Sequence, residues 1–189
     1  ENKSIALSQA AYPQYTETNP YKMAACSIDT AFKNLIVSGA NLKKIAVLDN
    51  FCWCSSDDPE RLYQLKESAK ACYDYAVAYK TPFISGKDSM YNDFKGYNKS
   101  GKPVKISIPP TLLISSIGIV DKISYLTKIT PDIGDELFVL GKNYNELKDS
   151  EYEKIFGTGN NKIPTVYAKE ALKTYSNYER ANKLKIFNS

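Results

Sequence analysis

The chain of 189 residues contains no histidine. This removes every Ser-His and Cys-His catalytic arrangement and leaves acid–base work to carboxylates, lysine, hydroxyls and amides, or to groups supplied from elsewhere. Also missing is any run near the ~18 apolar residues of a membrane span, so no membrane partner is predicted. The opening ENKSIALSQ lacks the pattern of a signal peptide, and no methionine stands at position 1. This reads as a processed or excised chain, with the cytoplasm as the default location. Charge of one sign is scarce: 25 Lys and Arg face 21 Asp and Glu, a net +4 with the signs interspersed. That balance gives no basic groove, and no nucleic-acid partner is predicted. Of the four cysteines, Cys52 and Cys54 form a C-x-C, but Cys26 and Cys72 fall in predicted helices without a ligand pair. Reduced structural cysteines are favoured over a zinc site, which needs four well-spaced ligands.

Tyrosine, by contrast, is abundant at 15 residues. Several tyrosines fall on helix faces at core spacing, which favours packing over a base-stacking platform and leaves a nucleic-acid-binding domain as a remote alternative. Hydrophobic content of 43% closes a core without disulfides. Residues Ser4 to Leu7 read as a strand. A helix follows, with Asn19 as cap, Pro20 in the first turn and Gly39 at its end. Its apolar face comprises Ala25, Ile28, Phe32, Leu35 and Ile36, and a second line, Ser27, Thr30 and Asn34, is polar and uncharged. KKIAVLD is a buried-type strand ending in Asp49 and Asn50, where ligands of open α/β sheets gather. Asp58 and Pro59 start a second helix to about Lys80, predicted to turn Leu62, Leu65, Ala69, Cys72, Tyr73 and Ala76 inward. DFKGYNKSGK reads as a mobile hairpin or lid, and TLLISSIGIVD as a central strand. Composition changes near Thr127 to Gly134. DELFVLG is predicted to begin a fresh strand, with helical pieces near Glu146 to Phe156 and Tyr167 to Lys185. The predicted division is 1–128, an α/β domain, and 129–189, an incomplete second one.

The chemistry concentrates in TPFISGKDSMYND, Thr81 to Asp93. A short strand meets Gly86, followed by Lys87, Asp88, Ser89 and Asn92. Glycine admits close approach or positive φ, and an ammonium, a carboxylate and a hydroxyl behind it suit a phosphorylated, metal-bridged ligand. It is not a Walker loop, which needs glycine at Thr81 and a hydroxyl residue at Asp88.

Five stretches together, NPYKMA (19–24), LDNFCW (48–53), TPFISGKDSMYN (81–92), IPPTLLIS (108–115) and ELKDSEY (146–152), resemble the phosphoribosylformylglycinamidine synthase family in wording, order and spacing. The resemblance covers nearly the whole chain. It implies an α/β (α+β) fold, a PurM-like N-terminal-type domain with a mixed sheet and flanking helices, followed by the start of a PurM-like C-terminal-type domain. The family converts formylglycinamide ribonucleotide to its amidine with ATP and glutamine-derived ammonia: the γ-phosphate activates the formamide oxygen, ammonia attacks and phosphate leaves. The implied cofactors are ATP and Mg2+. The implied partners are the ribonucleotide, the rest of the synthetase chain and a glutaminase subunit or domain, with a second copy of this chain, pairing sheet to sheet, as a further expected partner. The family's catalytic histidine and main acidic magnesium ligands lie outside this segment, so the chain alone is predicted inactive.

By resemblance, Asp49 and Gly86 lie at the ATP and Ser89 touches the ribonucleotide. Lys87 stands where small members carry an asparagine magnesium ligand. An ammonium cannot coordinate a cation, so Lys87 is predicted to meet phosphate, with Asp88 available for metal. Asn34 matches an asparagine that holds magnesium at a second, structural nucleotide site in long members. The acidic ligand one turn earlier is Thr30 here, which weakens the alternative of a non-catalytic structural nucleotide module. The family's glycine pair before Ser150 is replaced by Lys148 and Asp149.

Overall fold

A computed structural model describes residues 2–127, 130 and 132–186. Four strands, β1 (Ser4–Ala11), β2 (Ile45–Cys52), β3 (Phe83–Ser89) and β6 (Thr111–Val120), form a mixed sheet in the order β1-β6-β2-β3. β6 runs antiparallel to both neighbours, whereas β2 and β3 are parallel. A parallel pair needs a long crossover, here the helix α2 (Pro59–Tyr79). The strands β4 (Asp93–Tyr97) and β5 (Pro103–Ser107) make a separate hairpin. The predicted central strand is β6, buried on alternate residues.

Helix starts follow their caps. In α1 (Pro20–Val37) the Asn19 side chain accepts from the Lys22 amide at 2.8 Å, and in α2 Asp58 accepts from the Glu60 amide at 2.9 Å, each with proline in the first turn. Helix α1 covers β1 and β6 and packs against α2. The predicted stripe Ala25, Ile28, Phe32, Leu35 and Ile36 is fully buried against Val47, Leu112, Ile114 and Val120.

The inward face of α2 keeps Leu65 and Cys72 of the predicted set against the core but otherwise differs from it. Leu62, Ala69 and Tyr73 are exposed, and the buried line is Gln64, Ser68, Ala71, Tyr75 and Tyr79. Polar residues can take this face because each has a partner. Ser68 donates to the Pro20 carbonyl, and the Gln64 amide contacts Glu17 and Arg61.

DELFVLG forms no strand. Leu137, Phe138 and Val139 are 84, 84 and 75% exposed, with no neighbouring strand to satisfy their backbone. Beyond it lie α3 (Glu151–Phe156) and α4 (Ala168–Lys183), both shorter than predicted. Helix α4 packs on α1 and α2, and Ile163 and Tyr175 join the core of the first 120 residues. The predicted division at 128/129 falls on residues outside those described. Asp149, in place of the family's glycine, has φ +61°, the left-handed region where glycine carries no steric cost.

Candidate functional site

Parallel pairing of β2 with β3 sets Asp49 opposite Gly86, Asn50 opposite Lys87, Phe51 opposite Asp88 and Cys52 opposite Ser89. Side chains alternate across a strand. Ile45, Val47 and Phe51 turn toward the helices, so Asp49 does too, and Gly86 and Asp88 share its side. Lys87 and Ser89 share the opposite, open side with Asn50 and Cys52. A Cβ built on Gly86 would lie 2.6 Å from Asp49 Oδ1 and 3.0 Å from Oδ2. Gly86 is absent from the positive-φ residues, so glycine is needed here for room and not for backbone conformation.

Burial pushes the Asp49 carboxyl above its ordinary value of 3.8, opposed by a backbone hydrogen bond and reinforced by the nearby charge of Asp88. On α2, burial raises the Cys72 thiol to about 12, and the Asp49 carboxylate adds to the rise. An exposed carboxylate on the edge strand, Asp88, beside the partly buried Asp49 suits a cation bridged to phosphate, since magnesium is commonly held by one or two carboxylates plus phosphate oxygens. Asp49 and Asp88 are therefore the residues that fit the implied ion. Among the described residues no group of three or more His, Cys, Asp or Glu could hold a metal ion.

Asn34 is not part of this cluster. It sits on α1, over β1 and β6, whereas β3 is the opposite edge of the sheet, roughly 14 Å from β1 at ~4.8 Å per strand. Thr30, one turn earlier, is bonded to the Tyr12 hydroxyl at 3.0 Å, and Ser27 donates to the Met23 carbonyl of its own helix. The polar line on α1 thus supports packing.

At the other end of the cluster, Ser89 meets Asn92 and Trp53. The Asn92 amide nitrogen lies 2.8 Å from the Ser89 carbonyl, 3.0 Å from Ser89 Oγ and 3.2 Å from the Trp53 carbonyl. The Trp53 amide donates to the Ser89 carbonyl at 2.8 Å, and its fully buried ring donates to the Arg61 carbonyl. In the sequence Asn92 is one polar residue of a motif. The only local sign of its role is the three-residue spacing from Ser89.

This arrangement, a mixed sheet backed by helices on one face with a parallel β2–β3 edge carrying the polar cluster, is that of an AIR-synthase-type α/β domain. Residues 1–120 match the AIR synthase related protein, N-terminal domain, and the chain belongs to that family. Over 185 residues it is 30% identical to the phosphoribosylformylglycinamidine synthase subunit PurL of Staphylococcus aureus, covering 97% of this chain and 23% of the relative. It thus spans under a quarter of that relative's length. Among solved structures, PurL of Thermotoga maritima complexed with formylglycinamide ribonucleotide (FGAR) has a TM-score of 0.59 at 12% identity, covering 96% of this chain and 28% of that one. The PurLQS structure from Thermotoga maritima has a TM-score of 0.55 at 21% identity, covering 69% and 20%. These likenesses bear out the predicted mixed α/β fold of PurM-like type.

Proposed function

We propose that this chain supplies one wall of the ATP-dependent synthetase that converts formylglycinamide ribonucleotide to formylglycinamidine ribonucleotide in purine biosynthesis. The observation that carries this reading is the β2–β3 edge. Asp49 and Gly86 are packed against one another where the resemblance puts ATP, and Ser89, three residues along the same strand, stands where it puts the ribonucleotide. The PurL relative and the ribonucleotide-bound neighbour support it.

In this reading Asp49 and Asp88 hold magnesium, which neutralises phosphate charge when bound. Gly86 lets the nucleotide approach the β3 backbone, and Ser89 orients the ribonucleotide. Lys87, on the open side, reaches phosphate around the exposed edge. No histidine is available to this chain for proton transfer, so the remainder of a longer synthetase provides that group and a glutaminase provides ammonia. The chain alone is inactive. The region after the 128/129 division opens the next domain of that polypeptide, which works in the cytoplasm. No helix among the described residues is long and apolar enough to cross a membrane. In this reading Asn34 belongs to the separate, structural nucleotide site, where Thr30 stands in place of the acidic partner.

Calorimetric titration of ATP with magnesium into the chain, alone and with the missing portion of the synthetase added in trans, tests this reading. Binding that is lost in Asp49→Ala is expected. Absence of binding in both settings overturns it, and salt-sensitive oligonucleotide binding indifferent to nucleotide would favour the nucleic-acid alternative.

A further inference from the structure

We infer that Asn92 is a positioning residue that holds the Ser89 hydroxyl as a hydrogen-bond donor for the ribonucleotide. The inference rests on the assignment of Ser89 to that ligand. A serine hydroxyl at a strand end rotates freely between staggered positions. Asn92 removes that freedom. Its amide donates to Ser89 Oγ at 3.0 Å, and the hydroxyl in turn donates to Asn92 Oδ1 at 3.2 Å, so one side chain holds Oγ through both of its amide atoms. The contact to Oδ1 is the longer of the two, so a ligand carbonyl, hydroxyl or phosphate oxygen can take the proton in place of Oδ1 while the amide keeps Oγ in position.

Asn92 can direct Ser89 because it is itself fixed from several sides. Its backbone amide donates to the Trp53 carbonyl at 3.0 Å, and its carbonyl accepts from the Ile108 amide at 3.2 Å. The side-chain amide reaches the Ser89 and Trp53 carbonyls as well, bridging the ends of β2 and β3. Between Ser89 and Asn92 the chain turns through Tyr91 at φ +58°, a conformation uncommon for an aromatic residue. The Tyr91 hydroxyl donates to Asp57 Oδ1 at 3.0 Å, and the neighbouring Asp93 accepts from the Ser55 amide at 3.0 Å. A costly backbone state held from both ends is the pattern of a pre-organised ligand contact.

The test is a double-mutant cycle in the complete synthetase, with Ser89→Ala, Asn92→Ala and the double variant, reading KM for the ribonucleotide and for ATP separately. Each single variant is expected to raise the ribonucleotide KM about tenfold, the worth of one hydrogen bond, while the ATP KM stays within about twofold. The double variant should match Ser89→Ala, because Asn92 has nothing to hold once the hydroxyl is gone. Multiplying losses, or an equal rise in the ATP KM, would make Asn92 a general structural residue and overturn the inference. A ribonucleotide KM unchanged in Ser89→Ala would overturn the Ser89 assignment itself, and the inference with it. If Asn92→Ala does not fold, Asn92→Ser, too short to reach Oγ, takes its place in the cycle.

Discussion

The carboxylate of Asp49 occupies the space that a side chain on residue 86 would need, with its Oδ1 only 2.6 Å from where a Cβ would stand. Two neighbouring parallel strands thus divide one volume between a charged group and an absent one. The glycine of SGKDS is therefore as much a condition for the position of Asp49 as for any ligand. Gly86→Ala is expected to cost about 1 kcal/mol of stability, the low end of overpacking because the Asp49 side chain can swing toward solvent, and to weaken nucleotide binding by displacing that carboxylate. Urea unfolding checks the first effect. Asp49→Ala in the Gly86→Ala background should restore the lost stability, which separates a local clash from a general backbone effect.

Asp49 also gives the protein a pH dependence of definite sign. Its folded pKa is raised above 3.8, chiefly by burial. Its favourable contribution is therefore complete below 3.8 and is lost as pH rises through the raised folded value, because the unfolded chain ionises more readily. Asp49→Asn should match the parent in thermal midpoint near pH 3 and exceed it near neutrality. Midpoints measured across that range should diverge upward, and parallel curves would contradict the burial of this carboxylate.

Asp29 joins three helices. Its Oδ1 accepts from the hydroxyls of Tyr79 on α2 and Tyr175 on α4, each at 2.5 Å, and all three residues are buried. Burial, the Asp29 charge and its hydrogen bond push both phenols far above their ordinary range. Asp29→Ala leaves two buried hydroxyls without an acceptor and is expected to cost about 2–4 kcal/mol, against about 1–2 kcal/mol for Tyr175→Phe, where Tyr79 keeps its partner. Denaturant titration of the two variants should reproduce that order.

The sheet face turned away from α1 leaves Ile5, Leu7 and Ile84 at 63, 77 and 59% exposure. Such a face calls for cover, by the remainder of a synthetase or by a second copy. Sedimentation of the chain should show concentration-dependent self-association, reduced at least tenfold in affinity by Leu7→Lys, because a desolvated charge at the centre of an apolar contact costs more than ~1.4 kcal/mol. A sedimentation coefficient that does not change with concentration would remove the second copy as a partner.

The sequence by itself determined the starts of α1 and α2, because Asn19–Pro20 and Asp58–Pro59 act within one turn. It also determined the apolar stripe of α1, the central place of β6, and which stretch holds the polar groups. These are signals carried by neighbours along the chain. Only the tertiary structure decided the inward face of α2, where apolar residues lie on several sides and partners from Glu17, Pro20 and Arg61 allow Gln64 and Ser68 inside. It also decided against a strand at DELFVLG, since a strand exists only beside another that completes its hydrogen bonds. Which residues of β2 each side of the motif meets, Asp49 for Gly86 and Cys52 for Ser89, depends on the register of β3 against β2. Register is a relation between segments more than thirty residues apart. No local pattern in SGKDS encodes it, and it turned a list of phosphate-compatible residues into a cluster.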